Sequence, residues 1–190
     1  MVDQTEKLVD SFEKYTAVLS KVLDSNSVEK LSVLLGERLV LSPRGLTNQE
    51  GGTPGGLIDF SLSVASAAKS ISRVVGDTKS LVKVALLHEL GRVGDLENDL
   101  YIIQESDWHR EKLGQNYKYN ESCPKMSVSH RTLWLLNHTG VSLTRDEYLA
   151  ILTAQGLHLN ENQFYGYEGS KNSLIVGLQA ARGIVLQTHN

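Results

Sequence analysis

The stretch Ser80-Leu81-Val82-Lys83-Val84-Ala85-Leu86-Leu87-His88-Glu89-Leu90 decides the fold of this chain. Its apolar residues fall on nearly every side of a helix rather than along one face. A helix of that kind lies at the centre of a bundle, because it has to be covered from all directions. The sequence on either side contains helices that could cover it, and it contains no convincing pair of strands. The sequence therefore predicts an all-α fold.

The segments that would cover this helix have apolar residues at three- and four-residue steps, the spacing of an amphipathic helix. Two pairs of residues, Asn26 with Glu29 and Thr144 with Glu147, have the spacing of capping boxes and mark helix starts. Gly140 marks a helix end. The predicted helices span residues 6–23, 26–40, 57–75, 128–137, 144–154 and 171–186.

Two long segments are predicted to be loops. Residues 42–56 contain two of the three prolines and five glycines of the chain, a composition that excludes a helix or strand. Residues 91–124 are rich in Asp, Asn, Tyr and Lys, and we expect them to form a long ordered excursion over the surface that serves a site. We expect a single compact domain, in which a helical pair (1–41) packs on a helical core (57–190).

The composition limits the classes of protein that the chain can belong to. It has 190 residues, of which 41% are hydrophobic, and a net charge of −3 from 19 basic and 22 acidic residues. A chain of this length buries roughly 70% of its unfolded surface. The single cysteine, Cys123, forms neither an internal disulfide nor a cysteine-rich zinc site. Because no apolar run is long enough to span a membrane and the first residues are polar, we expect a cytoplasmic protein without membrane contact. The acidic balance makes a nucleic-acid partner unlikely.

Three segments on three different predicted helices resemble the metal-binding motifs of the HD-domain superfamily of metal-dependent phosphohydrolases. In that family the motifs read Gly-Gly-Leu-x-x-His-Ser-Leu, Leu-Leu-His-Asp-Leu-Gly-Lys-x-Gly and a final Ala-Asp. The resemblance covers residues 55–184 and is closest to HD-domain proteins of tailed bacteriophages. It implies an HD-domain-like helical bundle with long ordered loops. The segments of this chain are Gly55-Gly56-Leu57-Ile58-Asp59-Phe60-Ser61-Leu62, Leu86-Leu87-His88-Glu89-Leu90-Gly91-Arg92-Val93-Gly94 and Leu178-Gln179-Ala180-Ala181-Arg182.

The resemblance also identifies the positions that hold one or two divalent ions in the family. Here those positions are Phe60, His88, Glu89 and Arg182, and only His88 matches the family pattern. Phe60 has no lone pair, and the permanently charged guanidinium of Arg182 would repel a cation. We therefore expect a vestigial metal site with no cofactor and no catalytic residues. We also expect Arg182 to form an ion pair with Glu89, with His88 beside it.

A second set of candidates lies in segments 106–114 and 129–133, whose patterns resemble those of the phage proteins. It consists of Trp108, His109, His130 and Arg131. The resemblance implies a pocket for a ligand or a phosphate group, because arginine can bind phosphate through two N–H donors. The alternative is that both segments serve packing alone.

These observations predict a pseudoenzyme that acts as a binding, interaction or structural subunit, for instance in a phage-encoded complex in the host cytoplasm. Its partner would be another protein, a second copy of the chain or a nucleotide-like ligand. The alternative is a metal-dependent phosphohydrolase of nucleotides or related phosphate esters. It would hold Mn, Fe, Ni or Mg in a non-standard site built from His88, Glu89 and groups such as Asp59, Asp95 or Glu105. A third possibility, a factor associated with nucleic acid, is disfavoured by the acidic balance.

Overall fold

The computed structural model describes residues 2–166 and 172–188. These residues contain eight α-helices and one two-stranded antiparallel sheet, so the predicted all-α fold is confirmed. Tyr101 lies opposite Tyr119 in the sheet. The elements are α1 (Val2–Val22), α2 (Ser25–Leu41), α3 (Gly56–Val75), α4 (Thr78–Leu87), β1 (Tyr101–Ile103), α5 (Asp107–Leu113), β2 (Tyr117–Tyr119), α6 (Val128–His138), α7 (Arg145–Leu152) and α8 (Ser173–Thr188).

Helix α4 lies at the centre of the bundle, as its sequence predicts. Every residue from Leu81 to Leu87 is buried, and the helix contacts α1, α3, α7 and α8. It ends at Leu87 rather than at the predicted Leu90, and a 3-10 turn follows at Leu90–Arg92. Within this turn Gly91 packs directly on α6, where a Cβ would overlap the carbonyl oxygen of Val128. His88 and Glu89 therefore lie just beyond the central helix.

The two N-terminal helices pack on the core. Helix α1 contacts α3 and α4, and the hydroxyl of Tyr15 donates a hydrogen bond to the carbonyl oxygen of Leu86 at 3.1 Å. Helix α2 contacts α1 and α3. It begins one residue earlier than predicted, because the N-cap is Asp24 rather than Asn26, and the Asp24 carboxylate accepts the backbone N–H of Ser27.

Both predicted loops contain regular structure. The first loop, which connects α2 to α3, has a 3-10 turn at Asn48–Glu50 and glycines with positive φ at Gly51 and Gly55. The excursion from residue 91 to 124 includes β1, α5 and β2. The prediction that the sequence contains no strand pair is therefore wrong. Three-residue strands are too short to show an alternating pattern. They are held by the first loop, since the N–H of Asn116 donates to the carbonyl oxygen of Leu46 at 2.9 Å.

Of the last three helices, α7 and α8 pack on α4, and α6 packs on α7 and on the 3-10 turn at Leu90–Arg92. The predicted capping box of Thr144 and Glu147 is present at the start of α7, which ends at Leu152 rather than at Ala154. The loop after α7 contains a 3-10 segment at Asn160–Tyr165. Residues 167–171, which include the predicted start of α8 at Lys171, lie outside the described residues. None of the described helices is long and apolar enough to cross a membrane.

Candidate functional site

Glu89 lies just beyond the end of α4 and is fully buried. Its Oε2 accepts hydrogen bonds from the Nε of Arg44 and the Nε of Arg92, each at 2.9 Å. Its Oε1 accepts a hydrogen bond from the Nη2 of Arg182, also at 2.9 Å, so the predicted ion pair between Arg182 and Glu89 is present. We call Glu89 and these three residues the arginine cluster.

The three arginines come from different parts of the chain. Arg44 follows Pro43 in the loop after α2, Arg92 lies on the 3-10 turn three residues after Glu89, and Arg182 lies on α8. Their side chains are only 11–16% exposed. Arg92 also donates, through Nη1, to the carbonyl oxygen of Arg44 and to the hydroxyl of Tyr101 on β1, both at 2.8 Å. The cluster therefore joins the first loop, the 3-10 turn, the small sheet and α8.

Phe60 contacts the cluster from α3. The guanidinium carbon of Arg44 lies 3.7 Å from the centroid of its ring, the arrangement of a cation–π contact. The Phe60 ring is also 6.1 Å from the ring of His88. Phe60 is only 9% exposed, so an apolar ring fills this position and supplies no ligand atom.

His88 is wholly buried beside the cluster but forms no hydrogen bond with Glu89 or Arg182. Its Nδ1 lies 2.8 Å from the carbonyl oxygen of Ala85, which makes Nδ1 the donor, and its Nε2 has no hydrogen-bond partner. Burial lowers the pKa of His88 to about 4, so the ring is neutral at physiological pH. The four vestigial positions predicted from the sequence therefore meet, although His88 stays outside the ion pair.

The charges of the cluster do not balance. Burial acts to raise the pKa of Glu89, but Arg92 and the other two arginines hold it well below its usual range, so the carboxylate is ionised. Burial lowers the pKa of Arg44, with Arg92 and Arg182 acting in the same direction, yet a guanidinium remains charged at any accessible pH. Three positive charges against one negative leave two in excess.

These residues do not fit a divalent metal ion. Phe60 has no donor atom, both oxygens of Glu89 accept guanidinium N–H groups, and three positive charges surround the carboxylate. The lone pairs left for a metal are that of the His88 Nε2 and one on Oε1 of Glu89, fewer than the three protein ligands that a catalytic metal site usually has. Among the described residues, no group of three or more His, Cys, Asp and Glu side chains is arranged to hold a metal.

The other carboxylates that could have completed a metal site are engaged elsewhere. Asp59 accepts a hydrogen bond from the hydroxyl of Ser11 at 2.9 Å. Asp95 accepts backbone N–H groups within its own loop. Glu105 lies 3.1 Å from the Nζ of Lys118. The structure therefore does not bring these three carboxylates together with His88.

A cavity of about 250 Å³ opens beside the cluster. Arg44 and Phe60 form one wall, the start of α3 and the end of α8 form others, and the loop with the 3-10 turn at Asn48–Glu50 closes it. Asp59 and Glu50 also border the cavity. The Glu50 carboxylate accepts the backbone N–H groups of Leu46 and Thr47, which offset its charge.

The second predicted set of site residues does not form one pocket. Trp108 and His109 lie next to each other on α5, with Trp108 58% exposed. On α6, His130 is exposed whereas Arg131 is only 2% exposed. The Nδ1 of each histidine forms a hydrogen bond with the N-cap serine of its own helix, Ser106 or Ser127. Over the described residues, no hydrogen bond, ion pair or ring contact joins the two pairs.

The sequence did not single out Arg44 or Arg92 as site residues. Arg92 stands three residues after Glu89, a spacing that brings side chains together on a turn of helix and could have indicated a contact. Arg44 lies 45 positions before Glu89, and its place beside Phe60 depends on the path of the first loop. No local pattern in the sequence specifies that path.

No protein-family model, no curated protein and no solved structure matches this chain. The resemblance to the HD-domain superfamily therefore stays a prediction from the three sequence motifs, and none of these comparisons supports it.

Proposed function

We propose that this chain is a catalytically inactive HD-domain-like protein that works as a binding, interaction or structural subunit. The observation that carries the proposal is the state of Glu89, whose two oxygens are both taken by guanidinium groups. In the HD-domain pattern the corresponding carboxylate would face a metal ion. Here it faces the positive charges of Arg44, Arg92 and Arg182.

The cluster connects separate elements of the fold, as a bound metal ion would. A bound metal would connect the elements that supply its ligands, and here three arginines on separate elements converge on one carboxylate. A divalent cation at the same place would have to displace those arginines and remain next to their charges, which low local dielectric makes costly. We therefore propose that this region holds the bundle together. The partner of the chain would be another protein or a second copy of the chain.

A nucleotide-like anionic ligand is the second candidate, favoured by the excess positive charge of the cluster. Arg44 borders the cavity, and it uses only Nε and Nη1 in hydrogen bonds, to Glu89 and to the carbonyl oxygen of Glu50. Its remaining N–H groups are available to a phosphate oxygen. Hydrogen bonds of this charge-assisted kind are roughly twice as strong as neutral ones.

The first experiment separates the inactive protein from the metal-dependent hydrolase. The purified chain is incubated with Mn²⁺, Fe²⁺, Ni²⁺ or Mg²⁺ and with p-nitrophenyl phosphate and nucleotides, and phosphate release is measured. We expect no release above that of the buffer. Release that disappears in His88→Ala but persists in the control His138→Ala, which alters an exposed histidine, would establish the hydrolase instead.

The second experiment tests the anionic ligand. We expect the melting temperature of the chain to rise with increasing nucleotide or phosphate concentration, because a ligand that binds only the folded state stabilises it. The rise should be smaller in Arg44→Gln and unchanged in the control Arg145→Gln, whose side chain is 84% exposed. Equal rises in all three proteins would show that any binding occurs elsewhere.

A further inference from the structure

A second cavity, of about 330 Å³, lies between α6 and the loop that precedes β1. Its walls are apolar and come from Leu96, Pro124, Met126 and Trp134. Two of these side chains are unusually open to solvent for their type, with Trp134 39% and Met126 45% exposed. Exposed aromatic and thioether side chains that border one concave site are typical of a ligand surface.

Arg131 contributes a buried positive charge to this cavity. It is only 2% exposed, and its two hydrogen bonds go to the carbonyl oxygens of Gly91 (3.3 Å, from Nη1) and Pro124 (2.6 Å, from Nη2). Within residues 2–166 and 172–188, no carboxylate lies at ion-pair distance from it. A guanidinium has five N–H groups, so Arg131 keeps donors as well as a charge that the fold leaves unpaired.

Two carboxylates border the same cavity. Asp95 is held by its own loop, since its Oδ1 accepts the backbone N–H groups of Glu97 (2.8 Å) and Asn98 (2.6 Å). Glu97 is exposed to solvent. The cavity therefore has a buried cation, an anionic edge and apolar walls within a single small space.

We propose that this cavity binds a small zwitterion, namely a free α-amino acid with an apolar side chain. Its carboxylate would pair with Arg131, its ammonium group would face Asp95 and Glu97, and its side chain would contact Trp134. This proposal is independent of the function assigned to the arginine cluster.

The charges of the cavity select this class of ligand. A ligand with a carboxylate alone would be repelled by Asp95 and Glu97, and a purely cationic ligand would be repelled by Arg131. A molecule with both charges a few bonds apart satisfies both sides. The volume, near the lower end of the range for small-molecule pockets, suits a ligand of this size.

The chain has two tryptophans, which makes the test direct. Trp108→Phe leaves Trp134 as the sole tryptophan reporter, and its fluorescence is followed while leucine or methionine is added. Leucinamide, which lacks the carboxylate, and N-acetyl-leucine, which lacks the ammonium group, are the matched ligands. We expect saturable binding of the free amino acids and at least about tenfold weaker binding of both blocked forms, because each loses a charge-assisted contact.

A pair of variants in the same Trp108→Phe background locates the site. Glu97→Gln should weaken leucine binding several-fold, whereas Glu121→Gln, which alters an exposed carboxylate outside the cavity, should leave it unchanged. Three results would overturn the proposal: no saturable change up to the solubility limit, equal binding of a blocked form, or equal affinity in the two variants. Binding of leucinamide alone would identify a cation site, and binding of N-acetyl-leucine alone an anion site.

Discussion

Two buried carboxylates make ion pairs around α4, and they are neutralised differently. Glu147 is 3% exposed and meets one cation, the Nζ of Lys83 at 2.8 Å. Glu89 is wholly buried and meets three cations. Lys83 also donates to the carbonyl oxygen of Ser142, so its ammonium group has two acceptors.

The comparison distinguishes a structural ion pair, in which one cation neutralises the carboxylate, from a site with more positive charge than neutralisation requires. One cation neutralises a buried carboxylate, as Lys83 does for Glu147, so neutralisation of Glu89 does not account for three. Additional guanidinium groups repel one another and lose hydration when they are buried, which costs folding free energy. We therefore attribute the excess charge at Glu89 to the joining of distant segments, and we propose that it also serves to bind an anionic ligand.

The largest effect is expected at Glu89. Glu89→Gln keeps the shape of the side chain but leaves three buried guanidinium groups without a counter-charge. We expect it to lower the free energy of unfolding by about 4 kcal/mol, measured by urea denaturation. A loss below about 1 kcal/mol would show that the cluster contributes nothing to holding the elements together.

The next largest loss of stability is expected from disrupting the ion pair between Lys83 and Glu147. Lys83→Met removes the sole cation near Glu147 among the described residues and leaves the backbone N–H of Thr144 as its remaining donor. We expect a loss of about 3 kcal/mol in the free energy of unfolding. If Lys79→Met, on the same helix but without an ion pair in the described structure, costs as much, the ion pair is not the cause.

The neutral, buried His88 should make stability depend on pH. Its pKa is lowered to about 4 in the folded state, so below pH 6.5 the unfolded chain takes up a proton that the folded chain does not. Stability is therefore full above pH 6.5 and is lost as the pH falls towards 4. Between pH 7 and pH 5 we expect a loss of about 2 kcal/mol that is absent in His88→Gln. Equal losses in the two proteins would show that His88 titrates normally.

The smallest effect is expected from Arg182. In Arg182→Met, Glu89 keeps two arginines and some repulsion is relieved, so we expect a loss of about 1 kcal/mol, well below that of Lys83→Met. A double-mutant cycle with Glu89→Gln should still give a coupling energy of about 1 kcal/mol. Strictly additive effects would show that the contact between Arg182 and Glu89 has no energetic weight.

The sequence predicted the parts of the structure that local patterns encode. The apolar surface of α4 placed it at the centre, and the capping box at Thr144 located the start of α7. The pair of Arg182 with Glu89 was predicted because two opposite charges stood at positions that the motifs bring together. Arg44 was missed because its position depends on a loop whose path is set by tertiary contacts.

The small sheet shows the same limit. Its strands have three residues each, and their pairing depends on the first loop, which lies more than forty residues earlier in the chain. The unpaired charge of Arg131 was equally invisible in the sequence, since the burial and surroundings of one side chain decide it.

The metal content of the purified chain tests most directly whether the arginine cluster has replaced a metal site. The protein is incubated with Mn²⁺, Fe²⁺, Co²⁺, Ni²⁺, Zn²⁺ or Mg²⁺, desalted and analysed by inductively coupled plasma mass spectrometry, with His88→Ala as the matched control. We expect far less than one metal ion per chain in both proteins. Near-stoichiometric metal in the wild type that is lost in His88→Ala would contradict this expectation, because it would place a metal ion where three arginines surround Glu89.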